Sequence, residues 1–260
     1  MKEAGNFMDG LSLHHYTIEP DWSNKHTATG FDEKGWYIAL KNASFMETLI
    51  RRHDEIMSKY DPEKRVALVV DEWGMWHAVE PGTNPGFLYQ QNTIRDALVA
   101  GITLNIFNNH CDRVRVANIA QAVNVLQSPV LTEGDKMIKT PTWYVFHMYK
   151  SHMDATHLTS SVASNEIGMD NARIISITSS ASYKKDVYTV TLTNASLREN
   201  KQVCVKLSGL SQKIKSAEAT VLTADSMNSC NTFAQPDSVV EKKGTVKITS
   251  ENEVEVTLPA

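Results

Sequence analysis

Residues 66–70 read VALVV, apolar at every position, and the next two residues are Asp71 and Glu72. A strand with one wet face alternates apolar and polar residues. A strand apolar throughout is covered on both faces, which favours a parallel sheet flanked by helices. The surrounding grammar agrees. Residues 8–13 (MDGLSL) read as a short strand, and residues 45–57 carry helical spacing through Phe45, Met46, Leu49, Ile50 and Ile56. Residues 88–100 read as a helix. Residues 102–107 (ITLNIF), entered through Gly101, read as a third strand. Residues 112–125 read as a helix, with Val114, Val116, Ile119, Ala120 and Val123 mostly on one side. Residues 142–151 read as a helix with Pro141 in its first turn. Residues 128–132 are ambiguous.

After about residue 154 the period changes to two. Segments 172–178, 187–193, 202–207, 217–222, 245–249 and 253–258 alternate apolar and polar positions between polar turns. That pattern predicts an antiparallel sandwich with one wet face. The fold class expected is thus α/β followed by all-β, with a boundary near residues 152–160, giving units 1–153 and 154–260.

Net charge is −4 and the isoelectric point about 6.1, so no basic stripe invites nucleic acid and no cationic cluster invites a membrane. No apolar run approaches the ~20 residues of a membrane span. The first ten residues, MKEAGNFMDG, lack the apolar core of a secretory signal. Three cysteines, Cys111, Cys204 and Cys230, form neither a disulfide framework nor a zinc motif. A Cys204–Cys230 bridge is open on spacing alone; buried free thiols are the reading favoured.

In α/β barrels, reactive groups sit just past the carboxyl ends of the strands. Two strand ends here carry such groups: His14, His15 and Tyr16 on the first, and Asp71, Glu72, Trp73 and Trp76 on the second. Each has an ordinary reading. An Asp-Glu pair after a strand is usually a solvated loop start, Trp73 and Trp76 are core packing, and His14 with Tyr16 is a satisfied loop pair. Together on adjacent strand ends they describe a carboxylate walled by indoles, with an imidazole and a phenol to bind hydroxyls. A retaining glycosidase holds its nucleophile in such a place and needs a second carboxyl ~5–5.5 Å away. His77 reads as a surface loop residue, and Gln127 as a residue near the mouth of the barrel.

Four stretches, MDGLSLHHYT, VVDEWGMWHAVEPGTNPGFLYQQNTIRDALVAG, NHCDRVRVANIAQAVNVLQSPVLTEGDKM and NTFAQPDSVV, together resemble the carboxyl-terminal part of an α-L-arabinofuranosidase of glycoside hydrolase family 51. The resemblance runs in order along essentially the whole chain, and the block at 71–101 is far longer than a chance motif. It implies a (β/α)8 barrel, represented by about its last three strands, followed by a β-sandwich. It implies Glu72 as nucleophile, His14 and Tyr16 as lining of the sugar subsite, and Trp76 beside them; the strand-end pattern itself adds Trp73 to the substrate-binding wall. The reaction implied is release of terminal α-L-arabinofuranosyl groups from arabinoxylan, arabinan or their oligosaccharides, with no metal and no cofactor. Oligomers, commonly hexamers, are implied as well.

The same resemblance places an acid/base glutamate in an Asn-Glu pair upstream of the H-x-Y strand, and no such pair precedes His14. Asn165-Glu166 and Asn252-Glu253 lie in the all-β half and are poor substitutes. The sequence therefore reads as a fragment lacking its general acid, whose loss costs ~10²–10⁴ in rate. The compartment stays open: cytoplasmic, or periplasmic or secreted if the natural amino terminus lies upstream. The alternative is a non-catalytic fragment or assembly partner with a half-built sugar subsite, its open barrel edges covered by a complementary chain. Another retaining enzyme of the same barrel clan, an endo-glucanase or xylosidase, is a weaker reading, since fold alone does not set the substrate.

Overall fold

The structure, a computed structural model, describes residues 1–210 and 212–260. The amino-terminal half is built from β1 (Gly10–Thr17), α1 (Glu33–Met57), β2 (Ala67–Met75), α2 (Ile94–Asn109) and β3 (Val114–Ile119). The strands form one parallel sheet in the order β1-β2-β3, each joined to the next through a helix. Val66, Leu68 and Val70 are fully buried against those helices, whereas Val69, on the opposite face, is half-buried. Helix α1 begins well before the expected residue 45. The Asp32 carboxylate caps it by accepting from the Gly35 amide at 2.9 Å, and Trp36, Tyr37, Leu40, Ala43, Met46, Ile50 and Met57 form its buried stripe.

Two assignments are corrected. Residues 102–107 are not a strand but the second half of α2. This helix opens on a capping box, in which Thr93 and Asp96 exchange side-chain and backbone hydrogen bonds. It is buried between the parallel sheet and antiparallel strands beyond it, so apolar residues surround it and its sequence loses helical contrast. Residues 112–125 are not a helix but contain β3. The apolar positions there satisfy both periods, and pairing with the free edge of β2 selects the extended one.

The chain continues through a hairpin of β4 (Val130–Glu133) and β5 (Lys136–Lys139), then α3 (Pro141–Tyr149), which starts on the expected proline. The remainder is antiparallel. β6 (Thr156–Leu158), β9 (Ile177–Lys184) and β10 (Val187–Asn194) form one sheet. β11 (Lys201–Lys206), β14 (Val246–Ser250) and β15 (Glu253–Leu258) form another. Two-stranded ribbons pair β7 (Glu166–Met169) with β8 (Ala172–Ile175), and β12 (Thr220–Leu222) with β13 (Glu241–Lys243). Ile177 and Leu192 from the first sheet and Val203, Val205, Val256 and Leu258 from the second share an apolar cluster. The cysteines are free, as expected, but not buried: Cys111 and Cys204 are exposed and Cys230 is intermediate. Cys204 lies on the outward-facing register of β11, opposite the side of Val203 and Val205.

A polar joint binds the halves. Asn105 on α2 donates to Thr178 Oγ1 at 2.9 Å and accepts from the hydroxyls of Ser180, Thr191 and Tyr149 at 2.8–2.9 Å. Asn108 and Asn109, one turn on, donate to Ser180 Oγ and the Ser179 carbonyl. Ala172, Ile174 and Ala195 enter the same hydrophobic core as α1, β2 and α2.

Arg113, fully buried before β3, ties the turn between α1 and β2 to the sheet. It donates to Asp54 Oδ1 and Asp61 Oδ2 at 2.7 Å each, to the Val66 carbonyl at 2.9 Å and to Ser58 Oγ at 2.9 Å. Burial pushes the Asp54 carboxyl up, but Lys64, Arg113 and Ser58 outweigh it and bring it down to about 2. A carboxyl lowered in the folded state stabilises above its unfolded value, and that contribution drains away as pH falls towards about 2. Arg113→Met should therefore lower unfolding free energy by roughly 2–4 kcal/mol at neutral pH and flatten the acid limb of the stability curve. Urea titrations of both proteins across the acid range check it.

Candidate active site

The site depends on one extra residue in β2. Ser12 pairs with Val69 and His14 pairs with Glu72, so three steps on β2 oppose two on β1. On the other edge Val70 pairs with Ala117 and Trp73 with Ile119, the same slip. A bulge of this kind breaks the in–out alternation locally and re-aims side chains. Asp71 and Glu72 are consecutive, yet both meet residues of the β1 face that carries Ser12, His14 and Tyr16. The acids thus lie inside the strand rather than in a loop after it.

Tyr16 donates its hydroxyl to Glu72 Oε2 at 2.6 Å. Ser12 Oγ donates to Asp71 Oδ1 at 2.8 Å, and His14 Nε2 lies 2.9 Å from the same oxygen. The other nitrogen of His14, Nδ1, faces Glu72 Oε2 at 3.6 Å, outside hydrogen-bond range. His14 is thereby held between two carboxylates, gripped by Asp71 and turned towards Glu72. Burial first, and then the Glu72 hydrogen bond and charge, push the Tyr16 phenol far above its ordinary value, so it remains a donor at neutral pH. The Ser12 hydroxyl, with His14 assisting, holds the Asp71 carboxyl below its usual range.

The aromatic wall differs from expectation in one member. Trp76 stands edge-on to Tyr16, ring centroids 4.9 Å apart, and is in place beside Glu72. Trp73 is not: it is 1% exposed, edge-on to Phe107 and stacked near Phe146 in the core. Beyond the extra residue, alternation resumes and sends Trp73 to the helix side while Glu72 faces the open side. Trp22, which no sequence motif singles out, packs edge-on against Trp76 at 5.4 Å.

Behind the strand end lies a buried polar frame. Gly74, at φ +130°, carries β2 past Gln127; a Cβ there would come within 3.1–3.2 Å of Gln127 and Ile119. Gln127 accepts from the Met75 amide at 2.7 Å and donates to the Asp96 carbonyl at 2.7 Å and Thr142 Oγ1 at 3.1 Å. It is wholly buried, a brace behind the site. His77 is not a surface residue: at 1% exposure its Nε2 lies 2.9 Å from Asp96 Oδ1, and Arg95 Nη2 approaches its Nδ1 at 3.5 Å. Arg95 also donates to Glu19 Oε2 at 3.3 Å and lies 3.4 Å from the centre of the Phe31 ring. The capping role of Asp96 requires a buried carboxylate, and His77 is drawn inward to partner it. Glu166 and Glu253, the glutamates of the two Asn-Glu pairs, lie on antiparallel strands and pair with Arg173, diagonally, and Lys206, directly opposite, at 3.5 Å each.

Among the described residues no group of three or more His, Cys, Asp or Glu side chains could hold a metal ion, and no helix is long and apolar enough to cross a membrane.

Comparison with known proteins places this arrangement. The family model for the α-L-arabinofuranosidase C-terminal domain matches residues 71–260. An intracellular exo-α-L-arabinofuranosidase of Bacteroides ovatus is 40% identical over 258 residues, covering 95% of this chain and 50% of that protein. The crystal structure of the GH51 arabinofuranosidase from Xanthomonas axonopodis pv. citri superposes with a TM-score of 0.96 at 45% identity, covering all of this chain and 52% of that one. The α-L-arabinofuranosidase of Thermotoga maritima, solved with arabinose, shares the fold at a TM-score of 0.75 and 22% identity. This chain spans about half the length of the relatives it matches. It belongs to the α-L-arabinofuranosidases of glycoside hydrolase family 51, and corresponds to their carboxyl-terminal part.

Proposed function

We propose that this chain carries the nucleophile side of a retaining α-L-arabinofuranosidase acting on terminal arabinofuranosyl groups of arabinoxylan, arabinan or their oligosaccharides. The observation that carries the reading is the Tyr16–Glu72 hydrogen bond of 2.6 Å beside Trp76, set up by the extra residue in β2. One carboxylate oxygen of Glu72 is oriented by the phenol, and the other is left to attack. Attack at the anomeric carbon forms a glycosyl ester and breaks the bond to the leaving oxygen, which takes a proton from a second carboxylic acid. Water, deprotonated by that same residue, then cleaves the ester and releases arabinose with its configuration retained.

In this reading β1, β2 and β3 are three neighbouring strands of a (β/α)8 barrel. The acid/base lies in the part of the relatives' length that this chain does not span. Asp71 is not that acid: the Ser12 hydroxyl and His14 favour its ionised form, so its part is to fix His14, which with Tyr16 and Trp76 forms the sugar subsite. Residues 1–153 are the barrel part and 154–260 the sandwich. Within the sandwich half, the shared apolar cluster of the two antiparallel sheets supports that division.

Two outcomes test it. In the full-length protein, Glu72→Ala should cut kcat/KM on an aryl α-L-arabinofuranoside by about 10³-fold or more. Added azide should then restore turnover and yield the arabinosyl azide of inverted configuration, identified by proton NMR. Activity of the variant near wild type would remove Glu72 from the nucleophile role. Separately, Glu72→Gln removes the negative charge beside the phenol, so Tyr16 should ionise at lower pH than in wild type. Because burial remains, its ionisation should still lie above that of a free tyrosine. An ultraviolet difference titration, with Tyr16→Phe as the subtraction control, reads the change.

A further inference from the structure

Trp22 is 60% exposed, an unusual disposition for an indole on a loop that is otherwise well tied. The Asp21 carboxylate accepts from the Ser23 and Asn24 amides at 2.8 and 3.1 Å, closing the turn in which Trp22 sits. Lys25 Nζ donates to the Trp22 carbonyl at 2.8 Å and stands 5.3 Å from the ring centre. On the far side of the loop the His26 amide bonds to the Glu19 carbonyl and the Ala78 amide to the His26 carbonyl, at 3.0 Å each. Glu19 is itself buried against Arg95. The indole is therefore positioned by its backbone and by Trp76 rather than by being covered.

Its place in the site has a direction. From Glu72 the contacts run to Tyr16 (2.6 Å), from Tyr16 to Trp76 (4.9 Å between ring centres) and from Trp76 to Trp22 (5.4 Å). Each ring is turned steeply against its neighbour, at 76° and 68°, so the row forms a stepped wall rather than a single stack. The ring nearest the carboxylate belongs to the sugar that is attacked. Exposure rises along the row, from half-buried Tyr16 and Trp76 to Trp22, so the last ring stands at its solvent end, the side on which a sugar beyond the attacked one has room. A pyranose or furanose has an apolar C–H face that packs on an indole, burying hydrocarbon area on both sides.

Resting on the function proposed above, we infer that Trp22 is a specificity-determining residue: its indole is the platform for the sugar on the leaving-group side of the scissile bond. It favours oligosaccharide and polymer substrates over glycosides with a small leaving group. The alternative role, a prop that only steadies Trp76, would affect every substrate alike.

The test compares two substrates in the full-length protein: methyl α-L-arabinofuranoside, with no ring on the leaving-group side, and an α-1,5-linked arabinotriose. The readout is the ratio of their kcat/KM values in wild type, Trp22→Leu and Trp22→Phe. Leucine fills the space beside Trp76 without offering a flat face, and phenylalanine restores one. Trp22→Leu should lower the ratio of triose to methyl glycoside about tenfold, mainly through KM for the triose, and Trp22→Phe should recover most of it. Equal losses on both substrates, or a ratio unchanged in Trp22→Leu, would overturn the platform and leave the active-site reading intact. A wild-type protein that turns over neither substrate would overturn the active-site reading, and this inference with it.

Discussion

The extra residue in β2 is the constraint on which the site turns. β2 is hydrogen-bonded along both edges and buried against two helices, so a slip in its register cannot be absorbed by sliding the strand. Val70, fully buried on the helix side, fixes the register below, and Trp73, wedged between Phe107 and Phe146, fixes it above. The surplus length between them has one outlet, the open face of the sheet, and it carries Asp71 and Glu72 there together. Without it, strict alternation would aim one of the two acids into the helix layer.

Holding two carboxylates on one face is unfavourable unless donors surround them. β1 supplies those donors at every second residue: Ser12 and His14 for Asp71, Tyr16 for Glu72. Behind the sheet the same logic operates in the dark. Asp96 and Arg95 are buried, and Glu19 and His77 with them, so charge is taken out of water within one connected group. Burial pushes the Asp96 carboxyl up, but His77, Arg95 and the Thr93 amide together hold it below its ordinary range. Breaking one member of such a group leaves its partners stranded. Loops after β1 and β2 are anchored to this group at Glu19 and His77, and so the wall built from Trp22 and Trp76 inherits its rigidity.

Much of this was legible from the residues. VALVV announced a covered parallel strand, the alternating segments after residue 154 announced antiparallel sheets, and Pro141 marked a helix start. The strand ends at His14–Tyr16 and Asp71–Trp76 pointed to side chains that the fold does bring together, Trp73 excepted, and the resemblance named the family that the comparisons show. The misreadings share one cause, which is that local pattern does not contain depth. Residues 102–107 look like a strand because α2 is covered on several sides, and His77 looks like a loop residue because Asp96 is distant in sequence. Trp73 and Trp76 look equivalent because the bulge that separates their fates is a property of pairing and not of composition. Trp22 had a local mark, a lone indole in a Pro-Asp-Trp-Ser-Asn turn, but its meaning depends on Trp76 lying across from it.

The Asn105 joint has a consequence for how this architecture can change. An oily contact between two layers tolerates a shift of an ångström or a change of angle, since hydrocarbon has no preferred direction. The contact between α2 and the β9–β10 ribbon is instead written in amides and hydroxyls, each with a fixed bearing and few substitutes. A different β module grafted onto α2 would have to reproduce the spacing of Thr178, Ser180 and Thr191 or leave Asn105 thirsty in the interior. Such a seam works like a keyed coupling, and the two halves of this chain are obliged to evolve as a matched pair.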